Sequence, residues 1–455
     1  MDNLDRLNRQ QALLADSTKE IRKIVDSLVD EMSFVQKDAF LTGTSRLDGE
    51  PIPGEGVLTG TATVDGNEIV VVAQNAKALG GSFGAASARK ILNALSLAAK
   101  GNLPLLAILD STGARVGEGV AMLEGYGAVL KGIADLSRQV VTVAYIRGQA
   151  AGVTRMFASL CTYQLSLKDA VASVNAPAVA EAKFSLAKDA LTGLGNAIGG
   201  SIDFVVKDDR HAGNLLVTLL GHAYGQRESE DDPNREAPAL SLDSSAEDWI
   251  SAIVDDEYYE EYQAKCAPSI KCVMGSVNGS PVALAVCDAK VSKTLDAAAL
   301  SKLARFVVIN GASGIPFVSV VNCEGLEDKD QNALSLAVAD YVWQISSGDF
   351  PKIAVVLNAY GSAYATLCSK GIGFDYTVGV AGGKVGAMAP SSAIHLVYRD
   401  LLAQKGNTPE VRAQLENLYA EQNCDILTAA RDGYLDEVID PATVRPYVAN
   451  ALLVC

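Results

Sequence analysis

Two rhythms alternate along the chain. Short runs of consecutive apolar, β-branched residues mark buried strands, and apolar residues spaced three and four apart mark helices with one buried face. Residues 1–36 carry Leu4, Leu7, Ile21, Ile24, Val25 and Leu28 among polar positions and read as helix, with 26–40 leading into the first domain body. Residues 54–74, GEGVLTGTATVDGNEIVVVAQ, read as a hairpin turning at Asp65-Gly66. Leu79-Gly80-Gly81-Ser82-Phe83-Gly84 opens the helix AASARKILNALSLAAKG. Pro104–Asp110 is a buried strand, Ser111-Thr112-Gly113-Ala114-Arg115 its exit loop, and a helix over 119–135 follows.

The stretch from Gln139 to Thr154 begins as a strand through Val140, Val141, Val143 and Ala144. It then breaks into Gly148, Gln149, Ala150, Ala151, Gly152 and Val153. Small residues let a backbone approach a ligand closely. If a helix starts here, its first N–H groups have no partner inside the helix and can face a developing negative charge. The same residues also suit a tight packing turn. A third strand-like run lies near Tyr163–Leu167.

After a charged, Pro- and Ser-rich segment at 226–248, the pattern starts over. Cys272–Val286 is a hairpin turning at Asn278-Gly279, Leu295–Asn310 a helix, and Ile315–Val321 a strand that exits into Asn322-Cys323-Glu324-Gly325. A helix over 332–346 precedes the strand Ile353–Leu357 and then Asn358-Ala359-Tyr360-Gly361-Ser362-Ala363-Tyr364. Pro104 and Pro316 stand 212 positions apart, as do Val141 and Ile353. An internal repeat on this scale implies two α/β domains of one fold, divided as 1–240 and 241–455, each with one small-residue turn after a strand.

Bulk properties narrow the function. With 49% hydrophobic and 20% charged residues the chain has enough apolar surface for two large cores. A net charge of −16 without a basic run argues against nucleic acid as partner. No apolar run is long enough to span a bilayer, and the polar MDNLDRLNRQ start is not a signal peptide, so a cytoplasmic location is expected. The eight cysteines show no CxxC spacing and read as buried thiols in a reducing compartment. His211, His222 and His395 are far apart, which gives no local support to a metal site or a Ser–His–Asp triad. Gly193-Leu194-Gly195 lacks the preceding apolar strand and downstream acid of a dinucleotide loop. Lys302 and Arg305, one turn apart, read as a solvated face or subunit contact.

Six motifs in order resemble those of one family. Gly54–Gly60 is similar to GDGVVTG, Leu79–Gly84 to FGGSLG, Thr112–Gly119 to GGARIQEG and Gly148–Val153 to GAAAGG. Leu295–Phe306 is similar to LD…KAARF, and Ala359–Tyr364 to AYGGAY. The chain resembles, from about Ile24 to Val448, the carboxyltransferase component of biotin-dependent acyl-CoA carboxylases of the propionyl-CoA carboxylase β-subunit type, which sodium-pumping acyl-CoA decarboxylases share.

The resemblance implies two tandem crotonase-like (ClpP/crotonase) domains, each a ββα-repeat superhelix. It implies acyl-CoA in the first domain and biotin, on a separate carrier protein, in the second. Active sites would form where the first domain of one subunit faces the second domain of another in a homo-oligomer, a dimer of trimers. Carboxyl transfer between N1′ of biotin and the α-carbon of a thioester would use two backbone oxyanion holes. These fall on Gly152 and Val153, and on Ser362 and Ala363, with either assignment to thioester and biotin open. Substrate-binding positions carried over are Gly80, Gly81, Ser82, Gly113, Ala114, Arg115, Gly148 and Ala151, and Tyr360, Gly361, Tyr364 and Ala365. Arg115 suits either a CoA phosphate or a loop-fixing salt bridge. Tyr360 and Tyr364 suit either a biotin pocket or the core.

No biotinylation sequence of the MKM type is present, so the implied partners are a biotin carboxyl carrier protein and either a biotin carboxylase or a membrane decarboxylase subunit. The alternatives are the decarboxylating subunit of a methylmalonyl-, glutaconyl- or malonyl-CoA pump, a biotin-independent malonyl-thioester decarboxylase, and a non-catalytic scaffold. The chain departs from the family where Val153 and Ser362 replace glycines. It departs again where Asn322-Cys323-Glu324-Gly325 replaces DTPG, 387–392 replaces VMGASG and Asn175-Ala176-Pro177 replaces TGP. Ala365 occupies a position tied in the family to acyl-chain size.

Overall fold

The computed structural model describes residues 3–43, 52–225 and 229–454. The first two residues of the expected opening helix, residues 226–228 of the expected linker, and Cys455 lie outside the described residues. Two compact units span 1–220 and 221–455. The division falls earlier than the expected 240/241 because the intervening stretch is held by the second unit. There the Ala237 N–H donates to the Ala442 carbonyl at 2.9 Å, and Arg235 reaches the carbonyls of Ser251 and Val254 at 3.2 and 2.9 Å.

In the first unit the strands are β1 (Val35–Lys37), β2 (Val57–Val64), β3 (Asn67–Gln74), β4 (Leu105–Ser111), β5 (Thr142–Ala151), β6 (Tyr163–Leu167), β7 (Val171–Ser173) and β8 (Phe204–Val206). They form a sheet in the order β1-β2-β3-β4-β5-β6-β8, with β7 added on β5. The β2–β3 hairpin is antiparallel and everything from β3 through β8 is parallel. Asp65 and Gly66 both take positive φ, 49° and 77°, which a two-residue hairpin turn of this hand requires. Leu105, Ala107 and Leu109 share one face of β4 and pack with Ile91, Leu95 and Ile133 from the helices Ala85–Gly101 and Val120–Leu136.

The second unit repeats this plan with β9 (Glu260–Tyr262), β10 (Ile270–Val277), β11 (Ser280–Cys287), β12 (Thr294–Leu295), β13 (Phe317–Cys323), β14 (Gly325–Leu326), β15 (Lys352–Tyr360), β16 (Tyr376–Gly386) and β17 (Glu437–Ile439). The order is β17-β16-β15-β13-β11-β10-β9, and β12 pairs β14 separately. The hairpin turn is again left-handed, Asn278 at 51° and Gly279 at 74°. Asp255 holds both turn N–H groups, at 2.9 and 2.8 Å, and pairs with the fully buried Arg445 of the last helix at 2.7 Å. This pair joins the turn to the C-terminal helix Val444–Val454. The α/β class and the duplicated frame expected from sequence are both present. The seven described cysteines are free and buried, and among the described residues no helix is long and apolar enough to cross a membrane.

One repeated detail runs against expectation. Lys302 is 2% exposed rather than solvated, and its ammonium donates to the carbonyls of Cys266 and Ile270 at 3.1 and 2.9 Å. Lys90, 212 positions earlier, is fully buried and donates to Gly54 and Val57 at 2.9 and 2.5 Å. Each lysine reaches from the helix that follows its unit's hairpin, Ala85–Gly101 or Ala297–Gly311, to the backbone entering that hairpin. A lysine's amphipathic stem fits a surface position at helix spacing, the expectation for Lys302; in both units the charge is spent on carbonyls that no strand partner satisfies.

Replacing Lys90 or Lys302 by Met leaves those carbonyls unpaired and is expected to cost about 1–3 kcal/mol each, read as a lower urea midpoint at unchanged slope. Burial pulls the Lys90 ammonium from its ordinary 10.5 to about 8, against the attraction of Asp38 and Glu55. Between those two values the unfolded chain binds more protons than the folded one. The wild type therefore gains stability relative to Lys90→Met as pH rises from about 8 towards 10.5. A pH-independent difference between the two proteins contradicts this.

Candidate active site

The carboxyl ends of β4 and β5 gather most of the residues singled out in the first half. After Ala151 the chain turns through Gly152 at φ 61°, ψ −128°, a conformation that excludes a side chain, and enters the helix Val153–Leu160. The Gly152 N–H is occupied: it donates to the Ser173 carbonyl at the end of β7 at 3.1 Å. Its carbonyl accepts from Arg155 and Met156, both at 3.1 Å. Gly152 offers no side-chain cap, so the helix presents Val153 and Thr154 N–H groups that have no intrahelical acceptor. Of the expected pair, then, Gly152 fixes the turn and Val153 is the first available donor.

Gly80, Gly81, Ser82, Gly113, Ala114 and Arg115 come to the same place. Phe83 and Ala114 form a parallel bridge, with the Phe83 N–H on the Gly113 carbonyl at 2.8 Å and the Arg115 N–H on the Phe83 carbonyl at 2.9 Å. That pattern turns the Ala114 N–H away from the bridge. Gly113, at φ 108°, is so close to β5 that a Cβ would sit 3.4 Å from the Ala151 carbonyl oxygen. Gly81, at φ 68°, has the Asp110 carbonyl oxygen 2.0 Å from where a Cβ would be, so only glycine fits.

Arg115 serves the loop, not the solvent. It is 5% exposed and pairs with Glu55, and with Glu118 at 3.0 Å. Its Nε and Nη2 donate to the hydroxyl and carbonyl of Ser82 at 3.4 and 3.0 Å. Glu118 in turn accepts the Ala85 N–H at 2.6 Å, which starts the helix behind the loop. Of the two roles expected for Arg115, the geometry supports the salt bridge. Gly148 lies against the Asp110 carboxylate, 2.3 Å from a Cβ position, and Asp110 accepts the Gln149 N–H at 2.9 Å. Burial raises the Asp110 carboxyl above its ordinary range, opposed by the Gln149 bond and by Arg147.

In the second unit β15 ends at Tyr360, and Gly361 at φ 51° begins the helix Gly361–Leu367. Tyr360 gives no side-chain cap, so the first-turn N–H groups, including Ser362 and Ala363, have no intrahelical acceptor. Ala363 is fully buried and Ser362 exposed. The turn separates two hollows. Tyr360 stands on the wall of a cleft of about 770 Å³, while Gly361 and Tyr364 line one of about 390 Å³ with Ala387, Asn423 and Tyr434. Tyr360 also packs with Ala389, Ala393 and Tyr419, so it fills core and lines the cleft at once. The Tyr364 hydroxyl donates to the Tyr434 carbonyl at 3.5 Å. Burial pushes both phenols up, Tyr364 to about 12. Ala365 is exposed and lines neither hollow. Among the described residues no group of three His, Cys, Asp or Glu could hold a metal.

Sequence reasoning missed the floor of the larger cleft. Asn322 and Asn358 meet there, the Asn358 Nδ2 donating to the Asn322 Oδ1 at 3.0 Å. In the sequence the first stands out only as a departure from a family motif. The second carried no local signal, because its partner is set by strand register.

The chain matches the carboxyl transferase domain family over residues 16–454. It is 28% identical to the propionyl-CoA carboxylase beta chain of Saccharopolyspora erythraea, over 96% of this chain and 88% of that one. It is also 28% identical to the methylmalonyl-CoA decarboxylase subunit alpha of Veillonella parvula, over 95% and 89%. Among solved structures, transcarboxylase 12S with hydrolysed methylmalonyl-coenzyme A superimposes with a TM-score of 0.91 at 26% identity, covering 99% of this chain and 95% of that one.

Arg115→Met strands the Glu55 carboxylate, 2% exposed, without its cation. A loss of about 3–5 kcal/mol of stability is expected by urea denaturation. Unchanged stability would show that Arg115 does not brace the loop.

Proposed function

The chain belongs to the carboxyl transferase domain family, and on that premise we propose that it moves a carboxyl group between carrier-bound biotin and the α-carbon of a short-chain acyl-CoA. The observation that carries the reading is the duplicated strand-to-helix turn. Each copy offers backbone N–H groups at a strand end. Such a site works by position and electrostatics.

When the bond between the α-carbon and its carboxylate breaks, or in reverse forms, an electron pair moves into or out of the thioester carbonyl. The negative charge on that oxygen needs donors. We assign the Val153 N–H to this role, with the Ala114 N–H as its companion, since the bridge to Phe83 turns that group outward next to the β5 end. Gly152 acts by fixing the turn. Biotin supplies N1′ as carboxyl donor or acceptor. Its ring is neutral, and the neutral amides of Asn322 and Asn358 with the first-turn N–H groups of Ser362 and Ala363 fit it as holding groups. Gly80, Gly81, Ser82, Gly113, Gly148 and Ala151 shape the acyl side and Tyr360 the biotin side, while Gly361 and Tyr364 line the smaller neighbouring hollow.

The partners proposed are a biotin carboxyl carrier protein and a biotin carboxylase, within a cytoplasmic homo-oligomer, a dimer of trimers. Transcarboxylase 12S forms a hexamer assembly. The same geometry run towards carboxyl loss serves a sodium-pumping decarboxylase, where the partner is a membrane subunit. The similarity to the Veillonella subunit supports that second reading equally in identity.

Purified protein with malonyl-CoA or methylmalonyl-CoA and free biotin is expected to release the decarboxylated thioester. Gly152→Ala, where space allows a methyl group but φ 61° does not, is expected to lower kcat/KM by about 100-fold or more. No turnover with any acyl-CoA, and no transfer to a biotinylated carrier, would remove the reading.

A further inference from the structure

We infer that Asn322 and Asn358 form an amide edge that recognises a ring urea or lactam and so determines what the large cleft of the second unit accepts. Naming that ring as the ureido ring of carrier-bound biotin rests on the carboxyl-transfer reading. The two residues face each other in the β13–β15 register, just past an irregularity between Val321 and Asn322. Both are half-buried and line the 770 Å³ cleft.

The bond from Asn358 Nδ2 to Asn322 Oδ1, 3.0 Å, uses one donor and one acceptor site of the pair. Neither side chain has another partner among the described residues. The Asn322 N–H donors and the Asn358 carbonyl therefore remain. Together they offer a donor and an acceptor on one short edge. A ring urea or lactam carries the complement, a carbonyl acceptor beside an N–H donor. A carboxylate at position 322 would only accept, and would reject the ring carbonyl.

The first unit supplies an internal comparison. Asp110 lies 212 positions before Asn322, at the corresponding strand end, where β4 and β5 show the matching irregularity between Leu109 and Ser111. It is a carboxylate, and it is turned into its own loop, accepting the Gln149 N–H at 2.9 Å. The same frame thus carries a self-satisfied acid in one unit and an open neutral pair in the other. The Tyr360 side chain stands on the same cleft wall.

The test titrates full-length protein with free biotin and with 2-imidazolidone by ligand-observed NMR, for wild type, Asn322→Asp and Asn358→Leu. Malonyl-CoA affinity and melting temperature are measured alongside. Each variant is expected to bind both ring ureas about tenfold more weakly, one hydrogen bond's worth, with malonyl-CoA affinity and melting temperature unchanged. Unchanged ring-urea affinity in both variants overturns the amide edge, even while wild-type carboxyl transfer to biotin persists. Parallel loss of malonyl-CoA binding and melting temperature makes the pair structural and also overturns it. A wild type that binds neither ring urea and transfers no carboxyl group overturns the carboxyl-transfer reading itself.

Discussion

A glycine held at φ 61° decides where β5 stops and the next helix starts. Everything attributed to the first unit's site depends on that turn. Were the chain to continue extended past Ala151, Val153 would donate along the sheet and no N–H would be left over. The Gly152 N–H is held by the Ser173 carbonyl, contributed by the three-residue strand β7. It is then enclosed by Gly113 and by the loop that Arg115, Glu55 and Glu118 lock in place. The site's donors are backbone atoms, so side-chain chemistry is spent on holding the backbone still.

The second unit solves the same problem with other parts. Its hairpin is held at the turn by Asp255 and Arg445, and at the entry by Lys302, as Lys90 does in the first unit. Two fully or nearly fully buried ammonium groups at equivalent places are costly to desolvate. They persist because each satisfies two carbonyls at the point where the chain enters the sheet. The strand ends differ more. One unit closes its carboxylate onto its own loop at Asp110, and the other leaves a neutral amide pair facing a large cleft. A duplicated frame with diverged strand ends is what a reaction with two unlike partners asks for.

Much of this was legible in the sequence. The Asp65-Gly66 and Asn278-Gly279 turns, the amphipathic helices, the buried strands and the repeat all follow from local pattern, because each is set by residues close together in the chain. So was the presence of two small-residue turns. What the pattern did not disclose is set by distant partners. Nothing local marks Val171–Ser173 as the strand that occupies the Gly152 N–H, and Lys302 has the sequence profile of a surface helix residue. Arg115 had two open roles until Glu55, sixty positions away, was seen beside it. Asn358 gains its partner only through the register of β13 against β15.

The central claim is that backbone N–H groups at the β5 turn polarise the acyl thioester. The most direct measurement is the infrared stretch of the thioester carbonyl of acetyl-CoA, carbon-13 labelled at that carbonyl, bound to the protein. The account predicts a shift to lower frequency relative to the ligand in water, and loss of that shift in Gly152→Ala. A bound carbonyl at the solution frequency in the wild type would contradict it.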